Sequence, residues 1–106
     1  MQASTLLERL PTAFRPAAAG GQAYTIQLNI STPAYAAIRD GVCEIGSGQA
    51  AASDVTLTLS DQDFIALMQG KLNGVTAFMG GKLKVSGDLM LAQRLPNFFD
   101  AAVLQE

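Results

Sequence analysis

The sequence predicts an α+β fold in which five strands form a sheet with one buried face and amphipathic helices cover that face. Three observations point to it. Tyr24, Ile26, Leu28 and Ile30 alternate without a fault with Thr25, Gln27 and Asn29, the period of a half-buried strand. From Ser60 the apolar spacing changes to that of a helix, with Phe64, Leu67, Met68 and Leu72 on one face. After Gly80-Gly81 strand alternation returns at Leu83 and Val85.

Thr5 and Glu8 have capping-box spacing, which predicts a first helix starting there, with Leu6, Leu7, Leu10 and Phe14 on its apolar face. Pro11 lacks an amide donor, so a break or kink is expected near Leu10. Residues 15–22 are rich in Ala, Gly and Pro and read as a connector. The strand from Tyr24 to Ile30 follows, and Ser31-Thr32-Pro33 turns the chain into a second strand over 35–39. Asp40-Gly41 signals a two-residue hairpin turn, because both positions favour positive φ. Val42 to Ile45 then makes the third strand of a meander. The small, polar segment 46–53 reads as a loop, and its Gly46-Ser47-Gly48 lacks the rest of a dinucleotide fingerprint.

Val55, Leu57 and Leu59 alternate with threonines in a fourth strand. The Ser60 hydroxyl is placed to accept from the Asp63 amide, and Asp61 and Asp63 suit the positive end of the helix that follows. Val75, Phe78 and Met79 repeat the helical spacing in a short second piece that Gly80-Gly81 ends. Residues 60–81 leave room for a helical crossover, a connection that usually joins parallel strands. From Leu89 a helical face runs through Leu91, Leu95, Phe98, Phe99 and Ala102, and Pro96 predicts a kink or two helical pieces. A chain of 106 residues builds one core, so residues 1–106 are expected to be a single domain.

Composition narrows the function. The net charge is −2 and the Lys and Arg residues are scattered, against a nucleic-acid partner. No window has the roughly 18 uninterrupted apolar residues of an integral membrane segment. The start lacks the pattern of a signal peptide. Cys43 is alone, so no intrachain disulfide can form, and a cytoplasmic, reducing setting is expected. With no histidine in the chain, His-assisted nucleophiles and His-ligated zinc are excluded. Asp61 and Asp63 point to different helix faces and are read as caps rather than a catalytic pair. Gly80-Gly81-Lys82 is no phosphate loop, since Thr76 and Leu83 stand where that motif needs Gly and a hydroxyl residue. The affirmative signal is a crowd of Met and Phe in the second half: Met68, Met79 and Met90 with Phe64, Phe78, Phe98 and Phe99. Met adapts to irregular apolar shapes, which suits either a packed core or a site for apolar ligands.

Several segments, in order, resemble the sterol carrier protein 2 family of small lipid-binding domains. They are 54–58, Asp63-Phe64, 70–73, Ala77-Phe78-Met79 and 81–88, continued by Leu91-Ala92 and Leu95. The strand from Tyr24 and the Asp40-Gly41 turn fall in the matching order. The resemblance implies a mixed, mostly antiparallel five-stranded sheet in the order 3-2-1-4-5, helices on one face, and an apolar cavity between them. It implies non-catalytic binding, and transfer, of fatty acyl, sterol-like or isoprenoid molecules without a cofactor. By position, Phe64, Leu67, Met68, Phe78, Met79, Leu83, Val85, Leu91, Leu95 and Phe99 would line the cavity, over a floor of Ile26, Leu28 and Leu57. Gly80 departs from relatives that carry a Gln able to meet a ligand head group there. Leu104-Gln105-Glu106 is not a peroxisomal address, so a stand-alone bacterial member is expected.

An alternative role is that of an accessory subunit, or homodimer, docking through an apolar surface. In that role it would present isoprenoid-quinone intermediates to a partner enzyme, as some relatives do. A dry cavity of about 300 Å³ would cost about 7 kcal/mol, a large share of a domain's stability. An empty one is therefore expected to be collapsed, open to water or already filled.

Overall fold

The computed structural model describes residues 1–105. Its five strands are β1 (Tyr24–Asn29), β2 (Ala34–Arg39), β3 (Val42–Ser47), β4 (Val55–Thr58) and β5 (Lys84–Gly87), side by side in the order β3-β2-β1-β4-β5. The β1–β2, β2–β3 and β4–β5 pairs are antiparallel and β1–β4 is parallel. This is the mixed, mostly antiparallel sheet that the resemblance implies.

Period-2 alternation decides which face is covered. The register aligns Ile38, Tyr24 and Cys43 in one row, Ala36, Ile26, Val55 and Ile45 in the next, and Ala34, Leu28, Leu57 and Val85 in a third. All point toward the helices, while Thr25, Thr56, Lys84 and Glu44 face the other way. Asp40 and Gly41 both have positive φ (54° and 74°), the turn geometry expected of that pair.

The helices are α1 (Ala3–Ala13), α2 (Pro16–Ala19), α3 (Asp61–Met68), α4 (Gly74–Met79) and α5 (Leu89–Arg94), followed by 3-10 turns at Leu95–Phe98 and Ala101–Leu104. Helix α1 lies against β3, α3 and the last 3-10 turn, whereas α5 lies against β4 and β5. Leu6, Leu10, Ile26, Leu28, Leu57, Phe64 and Met68, none more than 1% exposed, form the centre of the core. Ser60 Oγ accepts from the Asp63 amide at 3.1 Å, as its position predicts.

Several expectations are corrected. Helix α1 starts at Ala3, with Gln2 as N-cap and no side-chain cap, so Thr5 and Glu8 form no capping box. Two further residues carry the helix past the Thr5 signal: Leu6 already donates to the Gln2 carbonyl at 3.1 Å. Pro11 does not break α1. It lies exposed in the last turn, where only one intrahelical hydrogen bond is forfeited. Phe14 falls outside the helix. The connector contains one turn of helix, opened by Pro16 at its first position and stopped by Gly20 at φ 61°.

Residues 60–81 do not join parallel strands. Helices α3 and α4 carry the chain out and back, so β5 returns antiparallel to β4; the parallel neighbour of β4 is β1. The expectation of two helical pieces around Pro96 holds: α5 ends at Arg94 and a 3-10 turn with Pro96 in its first turn follows from Leu95. Phe99 is then extended and bridges Phe14, with their rings 5.8 Å apart. Leu104, not Ala102, turns into the core.

Buried polar groups are tied down. Gln27, 3% exposed on the sheet's outer face, donates from Nε2 to the Ala34 and Gly48 carbonyls and accepts from the Ala50 amide through Oε1. This pins the 46–53 loop over the sheet, a role that alternation alone did not reveal. Gln69 donates to the Leu104 carbonyl at 2.9 Å and fastens the C-terminal turn to the end of α3. Burial first, and the neighbouring Glu44 second, push the Cys43 thiol up to about 12. It stays protonated and inert near neutral pH.

Candidate functional site

Helix α5 lies against β4 and β5, yet beside it the β5 edge of the sheet is incompletely closed. Two side-chain caps and one backbone turn set the elements around that gap. Asn73 Oδ1 accepts from the Val75 and Thr76 amides (2.9 and 3.1 Å) and opens α4 after the short 69–73 turn that follows α3. Asp88 Oδ1 accepts from the Leu91 amide at 3.1 Å and opens α5 directly after β5. After α4 the Lys82 and Leu83 amides both donate to the Ala77 carbonyl, which turns the chain into β5. Ala77 is therefore the buried residue of α4, and Val75 and Phe78 are left half-exposed.

The result is a partly open hollow of about 590 Å³. Leu67, Leu72, Val75 and Phe78 line it from α3, α4 and the turn between them. Leu83 and Val85 rise from the turn into β5 and from that strand, while Leu89, Ala92 and Pro96 come from α5 and the 3-10 turn. Lys71, Gln93 and Asn97 add polar atoms to a wall that is otherwise largely apolar. The volume falls within the roughly 300–1,000 Å³ usual for small-molecule sites.

A second hollow of about 740 Å³ lies among the first turns of α1, the β1–β2 turn and the start of α3. It is larger, but it suits an apolar guest less well. Glu8 and Asp61 both border it, and hydrocarbon beside a carboxylate desolvates that charge at high cost. Asp61 is already engaged: its carboxylate accepts from the Ser31 hydroxyl (2.6 Å) and amide (2.9 Å), which hold it below the ordinary carboxylate range.

The structure distributes the sequence-derived site residues over three places. Leu67, Phe78, Leu83 and Val85 line the hollow at the β5 edge. Ile26, Leu28, Leu57, Phe64, Met68, Leu91, Leu95 and Phe99 are packed into the core, at most 2% exposed, and do not line it. Met79 is 81% exposed and also lies outside it. These core side chains are sealed, and the open space lies instead at the β5 edge. Sequence reasoning did not assign Leu72, Val75, Leu89, Ala92 and Pro96 to the site. Leu72 and Val75 stood on the helical faces that could have signalled them; the polar Lys71, Gln93 and Asn97 carried no signal.

Fold and hollow together define a small α+β domain: a one-sided mixed sheet, helices on its covered face and a largely apolar hollow at their edge. The chain matches the SCP-2 sterol transfer family over residues 4–100 and belongs to that family. It is 51% identical to human (Homo sapiens) sterol carrier protein 2 over 45 residues, which are 42% of this chain and 8% of that protein. The match thus spans less than a tenth of the length of this longer relative. Among solved structures, the palmitated SCP2L2 of Aedes aegypti is 28% identical with a TM-score of 0.64, the match covering all of this chain and 96% of that one. The sec-alkylsulfatase Pisa1 from a Pseudomonas species superposes with a TM-score of 0.79 over 86% of this chain and 15% of its own. At 22% identity, that likeness shows the shared fold alone.

Proposed function

We propose that this chain, as a single domain, binds lipids or other long apolar molecules non-catalytically and passes them on, using the hollow at the β5 edge. The observation that carries the reading is a water-open, mainly apolar space of about 590 Å³ in a member of a sterol transfer family. Burial of hydrocarbon supplies the affinity, at about 0.8 kcal/mol for each methylene removed from water. The open form also meets the energetic demand on an empty site, because a water-filled groove avoids the full cost of a dry void. A palmitated relative of the same fold supports an acyl chain as the guest. No covalent step is involved, and the lack of histidine fits that role. The single buried thiol of Cys43 fits work in a reducing, cytoplasmic setting.

The test is competition with a fluorescent long-chain fatty acid, using delipidated protein. Saturable binding, displaced by fatty acids and sterols and accompanied by a higher melting temperature, is expected. Identical melting curves with and without fatty acids, sterols and isoprenoid quinones would oppose the reading.

A further inference from the structure

Among the side chains that line the β5-edge hollow, Lys71 alone carries a charge, and the backbone beneath it fixes its place. It sits in the turn that follows α3. Gly70, at φ 79°, lets the chain reverse there, and the Lys71 and Leu72 amides both donate to the Ala66 carbonyl at 2.8 and 3.1 Å. Leu72 is thereby half-buried against the apolar wall, while Lys71 beside it stays exposed. No carboxylate lines the hollow. Asp88, next in sequence to the lining Leu89, is engaged with α5: its Oδ1 accepts from the Leu91 amide at 3.1 Å. Of the other polar side chains there, Asn73 is occupied in capping α4. Among the described residues, Lys71 forms no ion pair, and the Gln93 and Asn97 side chains make no hydrogen bond.

A hydrocarbon guest that fills the hollow expels water, which strengthens any charge interaction at its margin. We propose that Lys71 is a specificity-determining residue, selecting long-chain guests that carry an anionic head group. The tail lies against Leu67, Leu83 and Val85, and the head accepts a charge-assisted hydrogen bond from the Lys71 ammonium. Gln93 and Asn97 can both donate and accept, so they serve a hydroxyl as well as a carboxylate and do not choose between them. The lone cation chooses. An alcohol of equal chain length gains the same apolar burial without the ion pair, and an amine meets a like charge. This inference rests on the reading of the hollow as the lipid site and adds which class of guest it holds.

The experiment is calorimetric titration of the delipidated chain with decanoate, decanol and decylamine at neutral pH, in low and high salt. Lys71→Gln should weaken decanoate about fivefold, the upper end for an exposed ion pair, and leave decanol within about twofold of the wild type. Lys71→Glu should strengthen decylamine by a similar factor. High salt should shrink the decanoate effect. Lys71 is exposed, so both variants should keep the wild-type melting temperature. Lys82→Gln is the control: this lysine is exposed but does not line the hollow, and its loss should change none of the affinities. Equal decanoate binding by wild type and Lys71→Gln overturns the proposal while leaving the hollow as a lipid site. Equal weakening of decanoate and decanol also overturns it, because Lys71 then acts through shape rather than charge. So does an equal loss of decanoate affinity from Lys82→Gln, which would show a general field. If none of these guests binds the wild type, the reading of the hollow fails and the proposal falls with it.

Discussion

Replacing Val85 by aspartate should lower affinity for a long-chain fatty acid by about 100-fold, with a much smaller effect on melting temperature. Val85 reaches the floor of the hollow from β5, opposite Leu57 in the strand register, and is half-buried rather than sealed. In the guest-free protein a carboxylate there stays hydrated. When hydrocarbon enters, that water is expelled and the charge is left without a partner. A desolvation cost on the order of 3 kcal/mol corresponds to the 100-fold loss. Val85→Leu keeps the surface apolar and should bind within about threefold of the wild type. Fluorescence competition measures both variants; equal affinity of Val85→Asp and wild type would mean that the guest lies elsewhere.

The largest loss of stability outside the core is expected from Gly87→Ala. Gly87 has φ +100°, a conformation that L side chains rarely adopt, and a methyl there would sit 2.6 Å from the Asp54 carbonyl oxygen and 3.1 Å from Val55 Cα. Both are backbone atoms and cannot swing aside. The same spot holds the hydrogen bond that the Asp88 amide donates to the Asp54 carbonyl (3.0 Å), just before α5 begins. Strain and displacement together should remove about 3 kcal/mol, a drop of roughly 10–20 °C in melting temperature for a domain of this size. Gly81 is the internal control. Its φ is similarly positive at +78°, but its Cβ would meet open space, so Gly81→Ala should cost only about 1 kcal/mol. Thermal melts that fail to separate the two variants would show that the β4–β5 edge is softer than its geometry implies.

What the sequence disclosed follows from how local each signal is. Alternation in β1, the paired positive-φ residues Asp40 and Gly41, and the Ser60 cap each depend on neighbours within a few residues, and each formed as expected. Helix α1 shows where such signals stop: Thr5 and Glu8 were a sound cap until the preceding residues offered a longer helix. Phe99 shares a helical face with Leu95 on paper, but its bridge to Phe14 joins residues far apart in sequence. The hollow is least legible of all. Whether Leu57 or Leu72 faces a guest depends on which helix covers it. Leu57 is sealed in the core, whereas the turn between α3 and α4 leaves Leu72 half-buried at the hollow. Apolar period alone assigns both to an interior.

The most direct test of the account is backbone and methyl NMR during titration with a long-chain fatty acid. Shift changes should concentrate at Leu72, Val75, Leu83, Val85 and Leu89, with Leu7, Ile45 and Ile65 of the other hollow unmoved. Changes centred on Leu7, Ile45 and Ile65 would contradict it, as would a spectrum that does not respond at all.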